Sequence, residues 1–193
     1  MPNKIQIRSF ANLEYGDPHD FLIRLKSFEL ENDLLHTPKR IRTLRTNPLE
    51  SVREIRDAAL FCVGMSEFLG HKVYFSPSEA QDYDFVARYS DGFTIHYCPV
   101  QLKEIVPAEL NPDASIQTII NKLINYSDLS SITVVIRLNR KERFEPVKVS
   151  IPENIKIGGL WVYGSISPDQ REWCLWGDFC SGDAGITYYY PGL

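Results

Sequence analysis

No stretch of this chain is apolar for long enough to cross a bilayer, and the opening MPNKIQIRSF holds no apolar signal-peptide core. The expectation is a cytoplasmic protein with no membrane partner. Cysteine is sparse: Cys62, Cys98, Cys174 and Cys180 show no paired metal-ligand spacing, and the chain holds only four histidines. A thiolate–imidazole metal site is therefore not expected, and the cysteines read as free thiols in a reducing compartment. No Gly-rich loop of the P-loop or Rossmann type is present, and no G-x-S-x-G elbow. Serine, histidine and aspartate occur without recognisable triad spacing. His19, His36, His71 and His96 are scattered. Repeats, low-complexity tracts and linkers are missing too, which leaves one domain as the simplest organisation.

What is present is an ordinary globular balance. The 193 residues are 44% hydrophobic and 24% charged, enough for one domain with a sizeable core. The formal net charge of −4 argues against a generally sticky nucleic-acid binder. The charge is uneven, however. Lys39, Arg40, Arg42, Arg45, Arg53 and Arg56 crowd one segment. Such a cluster reads either as a phosphate footprint or as a solvated helix face.

In chain order, residues 4–10 (KIQIRSF) alternate as a short strand would. Asp17-Pro18 opens a helix to about Asn32. Asn47-Pro48 resembles a cap before a second helix, Leu49 to Leu69, which stops at Gly70. HKVYFS (71–76) reads as a strand. Ser115 to Tyr126 carries one apolar stripe, with Asp113 or Ser115 as its cap, and SITVVIRL (131–138) looks like a buried sheet centre. Beyond it, VKVSI (147–151) reads as a short strand. LWVYGSI and EWCLW flank the turn at Ser167–Gln170 as a hairpin carrying all three tryptophans. Tryptophans on alternating strands favour core over exposed base-stacking surfaces. The closing ITYYYPGL would dock across the sheet or onto another subunit.

The stretch between Asp82 and Glu104 organises the middle of the chain. Phe85 to Tyr89 and Phe93 to Tyr97 form a hairpin about Ser90-Asp91-Gly92. Asp84 opens the first strand. Period-two geometry puts Gln101 and Lys103 on one face of the second. A symmetric hairpin about that turn sets Asp84 opposite Cys98. Bringing it to Gln101 then calls for a bulge at Cys98-Pro99.

An acid opening one strand, followed by polar-x-Lys on the next, resembles the PD-(D/E)XK nuclease superfamily in its D…QxK variant. The resemblance covers about Leu49 to Leu138 and rests on Asp84, Gln101 and Lys103. It implies an α/β fold with a restriction-endonuclease-like mixed sheet flanked by helices. Residues 1–48 would be an N-terminal extension, 49–138 the nuclease-like core and 139–193 added strands, including a C-terminal hairpin. It further implies a Mg²⁺- or Mn²⁺-dependent endonuclease acting on DNA, with a homodimer in keeping with many members. Asp84, the Gln101 side-chain oxygen and the Leu102 carbonyl would hold the metal, and Lys103 would act on the attacking water. A helix acid, Glu54 or Glu50, would join them. Both acids read equally as partners of the helix macrodipole and of Arg53 or Arg56. Lys39, Arg40, Arg42, Arg45 and Arg53 would contact phosphates.

A neutral Gln offsets none of a metal's charge. Together with the acidic net charge, it favours an alternative: a non-catalytic nuclease-fold protein acting as a protein-interaction or nucleic-acid-binding module. The two readings separate on whether Asp84, Gln101, Lys103 and a helix acid share one cleft beside the basic segment.

Overall fold

The computed structural model describes residues 4–33, 36–37, 44–45, 49–78, 82–125, 129–182 and 184–192. Lys39, Arg40, Arg42 and the Asn47-Pro48 cap lie outside the described residues. The architecture is α/β. One seven-stranded mixed sheet runs in strict chain order, β1 to β7. Strands β1 (Tyr74–Pro77), β2 (Phe85–Ser90) and β3 (Ile95–Ile105) are antiparallel neighbours. β4 (Leu129–Leu138) and β5 (Ile157–Ser165) then follow parallel to β3. β6 (Glu172–Gly177) and β7 (Ala184–Tyr189) close the sheet antiparallel.

Two helices cover one face. α2 (Pro18–Glu31) is started by Asp17, whose carboxylate accepts the His19 N–H at 2.9 Å, with Pro18 in the first turn where its missing N–H costs nothing. α3 (Glu50–Leu69) ends at Gly70 in the left-handed region, φ 65°. Their buried side chains, among them Leu22, Ala59, Phe61 and Val63, pack on Val100, Val135, Trp161, Tyr163 and Leu175 of the sheet. The other face is covered by α4 (Ile116–Leu123), capped by the Ser115 hydroxyl, and by the segment 139–156. Ile120 and Leu123 there meet Val134, Ile136 and Ile105.

Two expected strands are something else. Residues 4–10 lie in a helix, α1 (Lys4–Ala11). Only Phe10 of its described side chains is buried, edge-on to Tyr83, so a single anchor replaces the inward row that a strand would need. Residues 147–151 form no strand. Pro146–Lys148 is one 3₁₀ turn and Val147 is 86% exposed, because the flanking prolines break the ladder that the β-branched residues would otherwise join. The strand expected at 71–76 begins three residues later, at Tyr74.

The hairpin register also differs from the symmetric expectation. The loop is four residues, Asp91 to Thr94, and Phe93 at its tip is fully exposed. The Asp91 carboxylate accepts the Phe93 and Thr94 N–H groups at 2.9 and 2.8 Å, which holds the longer loop shut. Ser90 therefore pairs with Ile95, and Phe85 with Val100. One step further, the Asp84 N–H donates to the Val100 carbonyl at 2.9 Å, so Asp84 reaches this end of β3 without a bulge at Cys98-Pro99.

Most of the C-terminal aromatics are structural, with Tyr189 exposed. Trp173 and Tyr188 are buried, Trp161 nearly so. β7 presses on α3 so closely that a Cβ on Gly64 would stand 2.8 Å from the Tyr188 ring. Tyr190 donates its hydroxyl to the Leu22 carbonyl of α2 at 3.3 Å.

A buried ion pair crosses this core. Arg137 on β4 is 4% exposed and Asp57 on α3 is 7% exposed. Arg137 Nη1 donates to both Asp57 oxygens, at 2.5 and 2.7 Å. Burial works against the guanidinium's charge, yet the Asp57 carboxylate holds its pKa above the ordinary arginine value. Asp57→Ala should cost about 3–5 kcal/mol, since it strands a buried cation. Asp57→Ala with Arg137→Met should recover part of that loss, since Arg56 also lies against Asp57 and stays without it. Urea denaturation of the two variants checks both statements.

Candidate functional site

β2 stops at Phe85 while its partner β3 runs on to Ile105, so the last five residues of β3 have no β2 neighbour. Asp84 fills the first gap. The Leu102 N–H donates to Asp84 Oδ2 at 2.6 Å, so a carboxylate takes the place of the next ladder carbonyl. In an extended strand a residue's N–H and C=O project to the same side, so the Leu102 carbonyl also faces this open edge.

A cleft of about 140 Å³ lies here, between α3 and the sheet. Glu54, Asp84, Leu102 and Lys103 all line it, together with Arg53, Asp57, Glu104, Arg137 and Tyr163. Four of the expected site residues thus share one cleft. Gln101 is not among the lining residues. Register pairs Gln101 with Val134 and Lys103 with Ile136, which puts both on the α4 face by strand alternation. Gln101 Oε1 is buried there without a hydrogen-bond partner among the described residues. Lys103, farther along the open edge, borders both this cleft and a larger one of about 460 Å³ on the α4 side.

The two helix acids separate clearly. Glu50 accepts a hydrogen bond from Arg53 at 3.0 Å, one turn along α3. Glu54 faces the cleft, and its pKa is raised by partial burial first, then by the nearby Asp84 carboxylate and by Glu50. The mutual repulsion of the two carboxylates favours a cation between them.

The rest of the cleft is a polar row across three parallel strands: Glu104 beside Arg137 beside Tyr163. The Tyr163 hydroxyl donates to the Asp57 backbone carbonyl at 3.1 Å. Glu104 accepts from Asn139 Nδ2 at 2.6 Å and from the Arg45 guanidinium. Asp57 and Glu104 are therefore committed to arginines, and Glu54 and Asp84 are the cleft carboxylates outside those pairs. The same bonds bear on the expected phosphate footprint. Arg45 is tied to Glu104, Arg53 to Glu50, and Arg56 lies against Asp57 at 3.4 Å.

The sequence pattern does not single out Asp57, Glu104, Arg137 or Tyr163. The usable signal was a lone arginine inside the apolar run SITVVIRL. A charge there must find a buried counter-charge, and Asp57 is the acid within the apolar stretch of α3.

Among the described residues, no group of three or more His, Cys, Asp or Glu side chains is arranged to hold a metal. The oxygen donors that do converge are the Glu54 and Asp84 carboxylates and the Leu102 carbonyl. That set suits a hard divalent cation that keeps several of its waters. No helix among the described residues is long and apolar enough to cross a membrane. No family model, curated protein or solved structure matches the chain.

The raised Glu54 pKa gives a direct test. Its side-chain ¹³C signal should titrate above the usual carboxylate range. Asp84→Asn should lower that midpoint, and Glu50→Gln should lower it by less, since each removes a negative neighbour. With a raised folded-state pKa, Glu54 favours the fold at low pH, and that contribution fades as pH rises through the raised value.

Proposed function

We propose that this chain is a metal-dependent nuclease of restriction-endonuclease-like fold that cleaves phosphodiester bonds in DNA. The observation that carries the reading is the convergence of Glu54 and Asp84 on a cleft that Lys103 also borders. Element order supports it as well: a helix, an antiparallel β1–β2–β3 unit, a helix, then β4 parallel to β3. This is the succession of strand, hairpin, helix and strand that the PD-(D/E)XK resemblance implies.

Mg²⁺ or Mn²⁺, when bound, would acidify a coordinated water and offset charge on the phosphate. The chain's residues supply the remainder. Asp84 is held through Oδ2 by the Leu102 N–H, and its carboxylate would supply one anionic ligand. Glu54 brings a second anion from α3, and its raised pKa makes cation binding compete with a proton as pH falls. Lys103, at the rim of both clefts, can orient the attacking water or hold the phosphoryl oxygens as negative charge builds. Water adds at phosphorus, one bridging P–O bond breaks, and the leaving oxygen takes up a proton. The Gln101 amide stays outside this arrangement, and its place in the donor set passes to Glu54.

A second reading keeps the fold without cleavage. It is favoured by the position of Gln101 and by the commitment of Asp57 and Glu104 to arginines, which leaves two carboxylates for a cation.

The deciding experiment is Mg²⁺- and Mn²⁺-dependent cleavage of single-stranded, duplex and branched DNA, and of RNA. Wild type would be run beside Glu54→Gln, Asp84→Asn and Lys103→Ala. Cutting by wild type should fall by about 10²–10³-fold in Lys103→Ala with little loss of thermal stability. It should fall at least as far in Asp84→Asn. A folded wild type that neither cuts nor binds Mn²⁺ would sink the nuclease reading and leave the non-catalytic one.

A further inference from the structure

The two candidate carboxylates do not sit at the bottom of a single pocket. A second cleft, of about 350 Å³, shares Glu54, Asp84 and Leu102 with the first. The carboxylates therefore stand on the partition between two spaces of different chemistry. On one side is the ionic cleft floored by Arg137 and Asp57. On the other the apolar walls are Ile55, Ala58, Pro77 and Phe85, with Ser78 among them and Ser51 at the exposed rim.

We propose that the second cleft takes an unpaired nucleobase, so that the strand crossing the site is single-stranded at the point of cleavage. The proposal rests on the nuclease reading and names the substrate class of that same site. Its volume and mostly apolar lining fall within the range of small-ligand sites, where a few polar groups fix orientation. A phosphate within reach of Glu54 and Asp84 would place its own nucleoside in the neighbouring space, where Ile55, Ala58, Pro77 and Phe85 supply the apolar surface. Apolar walls gain from the face of a base, and in a duplex that face is covered by stacking. Only an unstacked base can offer it. The Ser51 hydroxyl at the rim can meet a base edge as donor or acceptor.

The charge distribution points the same way. Duplex binding draws its strength from many phosphate contacts, each needing an uncommitted cation. Around this site Arg45, Arg53 and Arg137 already have carboxylate partners, and the whole chain carries −4. An unpaired strand held by one or two inserted bases needs fewer such contacts, because the base surface supplies part of the affinity.

The test is made on the ligand, so that folding does not confound it. A fluorescent single-stranded DNA, its duplex, and a series of the same strand with one abasic position moved along it would be compared. Binding would be followed by anisotropy in Ca²⁺ and cleavage in Mg²⁺. We expect the single strand to be cut at least about tenfold faster than its duplex. One abasic position, next to the cut phosphate, should weaken binding by about tenfold while distant ones do nothing. Ser51→Trp, a change at the exposed rim that closes the cleft mouth, should reproduce the abasic loss with unchanged Mn²⁺ binding. Metal-dependent cutting with equal rates on duplex and single strand, or with a flat abasic profile, overturns this proposal and leaves the nuclease reading standing. No cutting and no Mn²⁺ binding overturn both.

Discussion

The ion pair between Asp57 and Arg137 is the contact on which the site depends. Neither charge is stable alone inside the core, so each is held where the other can reach it. Arg137 is fixed by strand pairing on both sides, to Glu104 and to Tyr163. Asp57 must come to it, and α3 has one height and one rotation on the sheet that allow this. The apolar surface of α3, rich in small and medium side chains, would by itself tolerate a shift of one ridge. The pair removes that freedom. Glu54 lies three residues before Asp57, on nearly the same face, so fixing one fixes the other. The cleft carboxylate is thus located by a salt bridge a turn away, and Tyr163, bonded to the Asp57 carbonyl, reinforces the same setting.

At the other side of the cleft the constraint is a mismatch in strand length. β3 outruns β2, and a sheet edge inside a protein must satisfy its N–H groups or expose them. Asp84 answers for the Leu102 N–H, which keeps its carboxylate in the plane of the sheet, between the faces covered by α3 and α4. The elements on either face then open onto a shared rim. That explains how Lys103, whose strand alternation belongs to the α4 face, still borders the cleft under α3.

How much of this was readable beforehand follows from where the information lies. α2, α3, α4, β4 and the β5–β6 hairpin carry strong periodicity or clear caps, and sequence inspection finds them within a few residues. α1 misleads because two isoleucines two apart imitate a strand, while its one buried anchor, Phe10, depends on distant Tyr83 and Tyr97. Residues 147–151 mislead because their β-branched side chains imitate a strand and no neighbouring strand is in reach. In the cleft, Asp84 and Lys103 were singled out by the resemblance and Glu54 only as one of two helix acids, because the choice between Glu50 and Glu54 depends on how α3 sits on the sheet. The exclusion of Gln101 was not legible, since it depends on which face of β3 is covered by α3 and which by α4. The hairpin register turned on the Asp91 carboxylate closing a four-residue loop, a local bond that residue counting does not reveal. Asp57 and Arg137 are 80 residues apart, and only the tertiary fold brings them together.

Gly64 has a consequence for how the molecule can be handled. The Tyr188 ring occupies the space that a side chain at residue 64 would need, so β7 and the middle of α3 are fitted to one another. The same helix carries Glu54 and Asp57 farther along. A label, fusion or crosslink that lifts β7 from the sheet would therefore loosen the carboxylates from behind, through the helix and not through the cleft. Reporter groups belong instead on the Phe93 hairpin tip, which projects into solvent and touches neither.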